Sequence, residues 1–276
     1  MDALTRRALG AHAWPSAWTG RARWLWERYG SWTAGLLLAL YVVYALSALN
    51  FTPARFWAGL GHGRLFLGRL VPPDFVSRWS DIQHDLLESL EIAVLASAIG
   101  ILLALPMGLL AARNLMPPWV TWPARLLISL CRSFHPVIIG IVFVKAIGFG
   151  PLAGTLTLAV ASVGFIGKLF TEAIEEIGRG QVEAVRATGA SFLNVLIFGV
   201  LPQVGARFIG FSTYQLDSNL RNSTILGIVG AGGIGGTLLA AFQRFDFNVV
   251  CAIILVIIAL IMVGEVISGR IQKTFQ

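Results

Sequence analysis

Residues 32–49, 92–110 and 247–264 each run eighteen or nineteen positions without a charged side chain. About twenty apolar residues wound as a helix match the hydrocarbon thickness of a bilayer. Backbone groups inside that layer have no water to bond, so the helix must satisfy them itself. Composition points the same way. The chain is 56% hydrophobic and 13% charged, against about 25% charged residues in an ordinary soluble domain. The mean hydropathy is +0.75. The expectation is an all-α, polytopic membrane protein.

Between these runs lie weaker ones. Residues 126–150 read as a third span broken by Arg132, the pair His135-Pro136 and Lys145, and residues 151–167 as a fourth. A fifth, residues 204–228, is the least hydrophobic, with Arg207, Asp217, Asn219, Arg221 and Asn222. Pro106 is expected to kink the second span. The count is about six helices. Arg6, Arg7, Arg21, Arg23 and Arg28 precede the first, and Arg270 and Lys273 follow the last. The bias of Lys and Arg toward the cytoplasm then puts both termini inside. Residues 51–83 read as leaving the membrane on the outer side, with Trp57, Phe66 and Trp79 as interfacial anchors, although Arg55, Arg64, Arg69 and Arg78 run against that side. Neither a repeat nor a linker divides the chain, so one domain over 1–276 is expected, its core at about 84–270.

The net charge of +7 fits cytoplasmic loops at an anionic lipid surface better than nucleic acid, because the basic residues are scattered. Cys131 and Cys251 sit in apolar surroundings with no disulfide or metal spacing and read as small buried hydrophobes. No nucleophile–base arrangement, metal set or Walker-type loop is present, so neither an enzyme nor a resident cofactor is expected.

Residues 172–202 form the charged island of the apolar half: Glu172, Glu175, Glu176, Arg179, Glu183 and Arg186 fall within fifteen positions. Residues 181–188 can form a short helix, which Gly189 would end in a left-handed turn. Ser191 can cap a further helix that Pro202 would bend. Held outside the bilayer by charge, such a helix suits docking on a soluble partner. Glu183-Ala184, Gly189 and Leu201-Pro202 match in type and spacing the "EAA" loop, and the chain here resembles the permeases of ABC importers. Val185 replaces the motif's second Ala, and Gly199 an aliphatic residue. The resemblance implies a type I importer permease fold and an ATPase-coupling helix carrying Glu183, Ala184, Arg186 and Gly189, with Leu201-Pro202 closing the loop.

Gly230-Ala231-Gly232-Gly233-Ile234-Gly235 fits the dinucleotide pattern G-x-G-x-x-G. It lacks the βαβ context and an acidic residue at the right distance. Close packing of backbones between membrane segments is the better account. The same stretch, YQLDSNLRNSTILGIVGAGGIG, instead resembles the signature of phosphonate, phosphite and hypophosphite importer permeases. Pro72-Pro73-Asp74-Phe75, Asn114-Leu115, Cys131-Arg132, Gly148-Phe149-Gly150-Pro151 and Arg186-Ala187-Thr188-Gly189-Ala190 extend the likeness. The resemblance implies an inner-membrane permease for phosphorus oxyanions, a second copy of this chain, two cytoplasmic ATPase subunits that hydrolyse the ATP, and a periplasmic substrate-binding protein. The competing readings are a permease for another small solute such as methionine, and an ion-driven secondary transporter. The latter needs paired intramembrane acids, and only Asp217 offers itself.

His135 reads as a helix-break residue bonded to backbone rather than as a proton relay, although an acidic residue is common near this position in the resembled family. For the path, an oxyanion requires donors that replace its water. Arg221 is the first candidate, with Asn222 and Thr224 beside it. The alternative is that Arg221 only balances Asp217, four residues before it.

Overall fold

The computed structural model describes residues 31–49 and 52–275. The five arginines before residue 30 lie outside them. Every regular element among the described residues is helical. The chain divides into two compact units, Met1–Leu67 and Gly68–Gln276.

In the first unit, α1 (Ser31–Ala48) is apolar on every side. Residues 51–83 are less of a loop than the sequence suggests, for α2 (Pro53–Leu70) is helical and buries no residue. Its basic and aromatic side chains fit helical spacing as well as they fit an irregular segment.

The second unit is built on α3 (Trp79–Ala111) and α6 (Pro151–Glu175). Small residues let the two backbones approach. A Cβ on Gly108 would stand 2.7 Å from the Phe170 ring, and one on Gly100 would overlap the Ser162 Cβ. Membrane helices lack a hydrophobic drive toward each other, so close packing of this kind holds them. Helix α3 continues unbroken through Pro106. A turn precedes it in which Asp74 accepts the N–H groups of Val76 and Ser77. The Ser77 hydroxyl and these N–H groups hold the Asp74 carboxyl below its usual range.

The expected third span is two helices, α4 (Pro118–Ser133) and α5 (Pro136–Ile147), meeting at 92°. Pro136 has no N–H and keeps His135 extended, at φ −65° and ψ 140°. His135 Nδ1 accepts the Val137 N–H at 3.3 Å and so caps α5, as the helix-break reading requires. Helix α6 then runs past the expected end at residue 167 to Glu175, because Thr171, Ala173 and Ile174 are still buried.

After the short α7 (Arg179–Ala187), a turn at Phe192–Asn194 leads into a π-helical stretch, Val195–Val200, and on into α8 (Leu201–Leu226). Ser191 occupies the cap position with no side-chain bond. Pro202 falls in the first turn of α8, where its missing N–H is tolerated, and the wider π turns before it replace the expected bend. The Gly-rich loop follows, then α9 (Ile234–Gln243) and α10 (Phe247–Phe275). Among the described residues, four segments are long and apolar enough to cross a membrane: α3, α6, Phe192–Val229 and α10. The number rises to six if each of two bent helix pairs counts as one span.

Candidate functional site

The charged loop expected to meet the ATPase begins where α6 ends. Gly178 turns the chain, and its N–H donates to Gln203 Oε1 at 3.1 Å. Gln203 Nε2 donates to the Gly199 carbonyl at 2.6 Å, in the stretch where Pro202 supplies no donor. Arg207 pairs with Glu176 at 2.7 Å. Two links therefore join the start of the loop to the base of α8.

Helix α7 lies on an apolar bed. Val182 is buried with Phe170, Ile174, Val200 and Val204, and Val185 packs against the same cluster. Glu183, Ala184 and Arg186 face solvent. The two departures from the EAA pattern meet here. A Cβ on Gly199 would stand 3.7 Å from Val185 Cγ2. Val185 packs over the space that Gly199 leaves open, while the exposed face carries the small Ala184. Gly189 ends the helix at φ +75° with open space around it, so backbone conformation alone selects glycine. Leu201 and Pro202 are exposed at the start of α8.

The turn between α3 and α4 is strapped to the same end of α6. Glu175 Oε1 accepts the Arg113 N–H at 2.8 Å and Arg125 Nη2 at 2.5 Å, and Asn114 Nδ2 donates to the Ile174 carbonyl at 2.7 Å. Asn114, Leu115, Ile177, Val182, Glu183 and Arg186 line a cavity of 290 Å³ beside α7.

Helix α8 has two polar faces. The inner one was missed as a unit by sequence reasoning. Asn219 Nδ2 donates to Ser97 and Ser162 at 2.9 Å each, and Gln215 Nε2 donates to Ser162 and to Asn219 Oδ1 at 3.0 Å each. The two serines donate in turn to carbonyls of their own helices, Ser97 to Ala93 and Ser162 to Leu158. This network joins α3, α6 and α8, and its amide hydrogens and hydroxyls are directed at protein acceptors. The signal available was a pair of serines inside apolar runs, the usual mark of a membrane helix contact.

The other face carries Asp217 and Arg221, which form an ion pair. The Asp217 side chain is 10% exposed and that of Arg221 43%. Asp217 Oδ1 is buried and lacks a hydrogen-bond partner among the described residues. Asn222 is half-buried and donates to Ser218 Oγ at 3.3 Å. Thr224 is on neither exposed stripe. It is buried, and its hydroxyl bonds the Arg221 carbonyl at 2.7 Å. The structure thus brings Asp217 and Arg221 together, directs Asn222 to Ser218, and sets the Thr224 carbonyl against Gly235 of the Gly-rich loop.

That loop is a tight backbone contact. Gly230, Gly232 and Gly233 have φ between 83° and 86°, and a Cβ on Gly227 would meet Gly235 Cα at 2.7 Å. No strand precedes it among the described residues, which removes the dinucleotide reading. Helix α3 holds it in place: Ser89 Oγ accepts the Ile234 N–H at 2.8 Å, Glu88 accepts that of Gly233 at 3.2 Å, and Asp85 accepts from the Thr237 hydroxyl. His84, Asp85 and Glu88 lie close enough to share a cation. The Glu88 carboxylate is already engaged with the loop and that of Asp85 with Thr237 in the first turn of α9, so these two read as a clamp.

Comparison with known proteins agrees with this architecture. The inward-facing methionine ABC transporter MetNI superposes with a TM-score of 0.61 at 22% identity, covering 71% of this chain and 96% of that one. The phosphite transport system permease protein PtxC of Stutzerimonas stutzeri is 39% identical over 242 residues, 87% of this chain and 86% of the relative. The phosphate-import permease protein PhnE of Mycolicibacterium smegmatis is 44% identical over 206 residues, 74% of this chain but only 39% of that relative's length. Residues 104–276 match the family described as binding-protein-dependent transport system inner membrane component. With a type I permease fold and that match over more than half its length, the chain belongs to the family of binding-protein-dependent transport system inner membrane components, which leave ATP hydrolysis to a separate subunit.

Proposed function

We propose that the chain is the permease of an importer for phosphorus oxyanions of the phosphonate, phosphite or hypophosphite type, in the bacterial inner membrane with both termini in the cytoplasm. The observation that carries the reading is Arg221. It sits on a membrane segment, 43% exposed, and pairs through one nitrogen with Asp217. A guanidinium has five donors in a fixed fork that suits phosphorus oxyanions. An intramembrane charge left exposed belongs to a water-filled cavity or a bundle interior. Relatives named for phosphite and phosphate import supply the substrate class. A second copy of the chain supplies the other wall of the path, two ATPase subunits engage α7, and a periplasmic binding protein delivers the anion. Arg221 is the donor that replaces water, Asn222 lies beside it, and Thr224 acts only by fixing the end of α8. We take residues 1–276 as one transmembrane domain.

The test is uptake by proteoliposomes holding the permease, its ATPase and its binding protein. Phosphite or methylphosphonate should enter with ATP and with no dependence on an ion gradient, and methionine should not. Arg221→Gln should reduce uptake, and Asp217→Asn added to it should not restore it. Recovery in the double variant would reduce the pair to a structural one. Uptake that follows an ion gradient without ATP would overturn the whole reading.

A further inference from the structure

Seven residues are two turns of a helix to within about 20°, and α8 places Arg207, Tyr214 and Arg221 at that spacing. All three stay accessible on one side of α8, while Gln215 and Asn219 face its neighbours. At about 1.5 Å per residue the set covers about 21 Å, most of a hydrocarbon core. Arg221 stands near the Gly-rich loop, and Arg207 near the coupling loop.

Around the lower pair lies a cavity of 580 Å³ between α6, α8 and α10. Its apolar walls include Phe165, Leu169 and Phe211, and its polar groups are Arg207, Tyr214 and Gln272. The Tyr214 ring stacks on Phe165 at 5.6 Å, which fixes the phenol within the cavity lining. Arg207 is paired with Glu176, but the two side chains are 54% and 67% exposed. An ion pair this exposed contributes little, so an arriving anion can compete with the carboxylate for the guanidinium. Glu176 has a further effect. It keeps the site close to neutral when empty and weakens any anion it holds, as an exit requires.

We propose that this cavity is a second anion site on the import path, at its cytoplasmic end, in which Arg207, Tyr214 and Gln272 hold a phosphorus oxyanion after it has left Arg221 and before it is released. The proposal rests on the import reading given above. The rival assignment is that Arg207 and Glu176 only tie the coupling loop to α8.

Gly210 allows a direct test, because it lines the cavity and a Cβ there meets nothing within 4 Å. A Gly210→Cys variant lacking Cys131 and Cys251 is reconstituted with its ATPase without nucleotide, and its modification by N-ethylmaleimide is timed. Millimolar phosphite or methylphosphonate should slow the reaction several-fold relative to chloride at equal ionic strength. Arg207→Gln should abolish that protection. Glu176→Gln, which removes the competitor, should shift half-protection to a lower phosphite concentration. If Gly210→Cys fails to assemble, Ala206→Cys reports on the same cavity. Equal slowing by chloride, no protection at all, or protection that survives Arg207→Gln would overturn the site. A Glu176→Gln variant that leaves protection unchanged but uncouples the ATPase would assign the pair to the strap. Uptake by the unaltered chain is scored separately, so a failure of the import reading is distinguishable from a failure of this site.

Discussion

Gly100 should be the least replaceable small residue in the α3–α6 contact, and the reason can be given atom by atom. A Cβ added there overlaps the Ser162 Cβ and lies 3.2 Å from both Ser162 Oγ and the Ala159 carbonyl. Carbon atoms pack at about 3.5–4.0 Å, so the helices must separate by roughly 1 Å or more. Overpacking of this kind costs about 1–3 kcal/mol. Separation also disturbs the polar network, whose three amide-to-serine bonds between helices contribute about 0.6 kcal/mol each, or about 2 kcal/mol together. The helix preference for Ala over Gly returns about 1 kcal/mol. Gly100→Ala should therefore destabilise the chain by about 2–4 kcal/mol.

The overlap is between Cβ atoms, which fixes the pattern of rescue. Ser162→Ala keeps the Cβ and should rescue nothing. Ser162→Gly removes it, and the double variant Gly100→Ala/Ser162→Gly should lose only the bonds to the Ser162 hydroxyl, about 1 kcal/mol. Gly269→Ala in α10 is the control, because a Cβ there meets nothing within 4 Å. Thermal midpoints of the detergent-solubilised complex, read by size-exclusion chromatography after heating, should fall by about 5–15 °C for Gly100→Ala and recover most of that in the double variant. An unchanged midpoint for Gly100→Ala, or rescue by Ser162→Ala equal to that by Ser162→Gly, would refute the reasoning.

Three further outcomes are expected. Gly189→Asp should abolish ATPase stimulation by the loaded binding protein while leaving membrane insertion intact, since a left-handed residue with a side chain costs about 1–2 kcal/mol; Gly189→Asn should be milder, and normal stimulation in both would separate this turn from coupling. Val185→Ala should weaken coupling by opening a gap over Gly199, and Val185→Ala/Gly199→Ala should recover part of it, with ATPase stimulation again as the measure. Single cysteines at Ser77 and Ser191, in a chain without Cys131 and Cys251, should label from opposite faces of the membrane, Ser191 only after permeabilisation; labelling of both from one face would refute the topology.

Features written in adjacent residues were legible in the sequence. A short helix was expected over residues 181–188 and one spans Arg179–Ala187, ending at a left-handed Gly189. His135 and Pro136 announced a helix break because their restriction is local. The angle at that break is 92°, which local restriction does not determine: α5 takes its direction from packing on α6 and on the Gly-rich loop. The polar network was hidden for a similar reason. Asn219 reaches Ser97 across 122 residues and Ser162 across 57, and each serine taken alone resembles a filler in an apolar run. Asn219 was visible as a donor in the most polar membrane segment, but its partners, and hence its inward direction, came only with the fold.

The two polar faces of α8 answer to different requirements. A group fixed in the bundle interior must be satisfied without carrying charge, because burying an ion costs more than neutral hydrogen bonds return. Gln215 and Asn219 meet that condition with neutral amides held by two serines. A group that meets a hydrated anion in passing needs charge, and it needs a partner that can be exchanged. On the proposed path, Arg221 and Arg207 have one each, Asp217 four residues away on the same helix and Glu176 at the end of α6. Glu176 stands two residues before Gly178, whose N–H is held by Gln203. On the proposed reading, an ATPase that displaced α7 would act first on the Glu176–Arg207 and Gly178–Gln203 links at the base of α8. Loosening the hold of Glu176 on Arg207 would then alter the lower guanidinium of the proposed path before the upper one, so a displaced α7 would act on release of the anion more directly than on its capture.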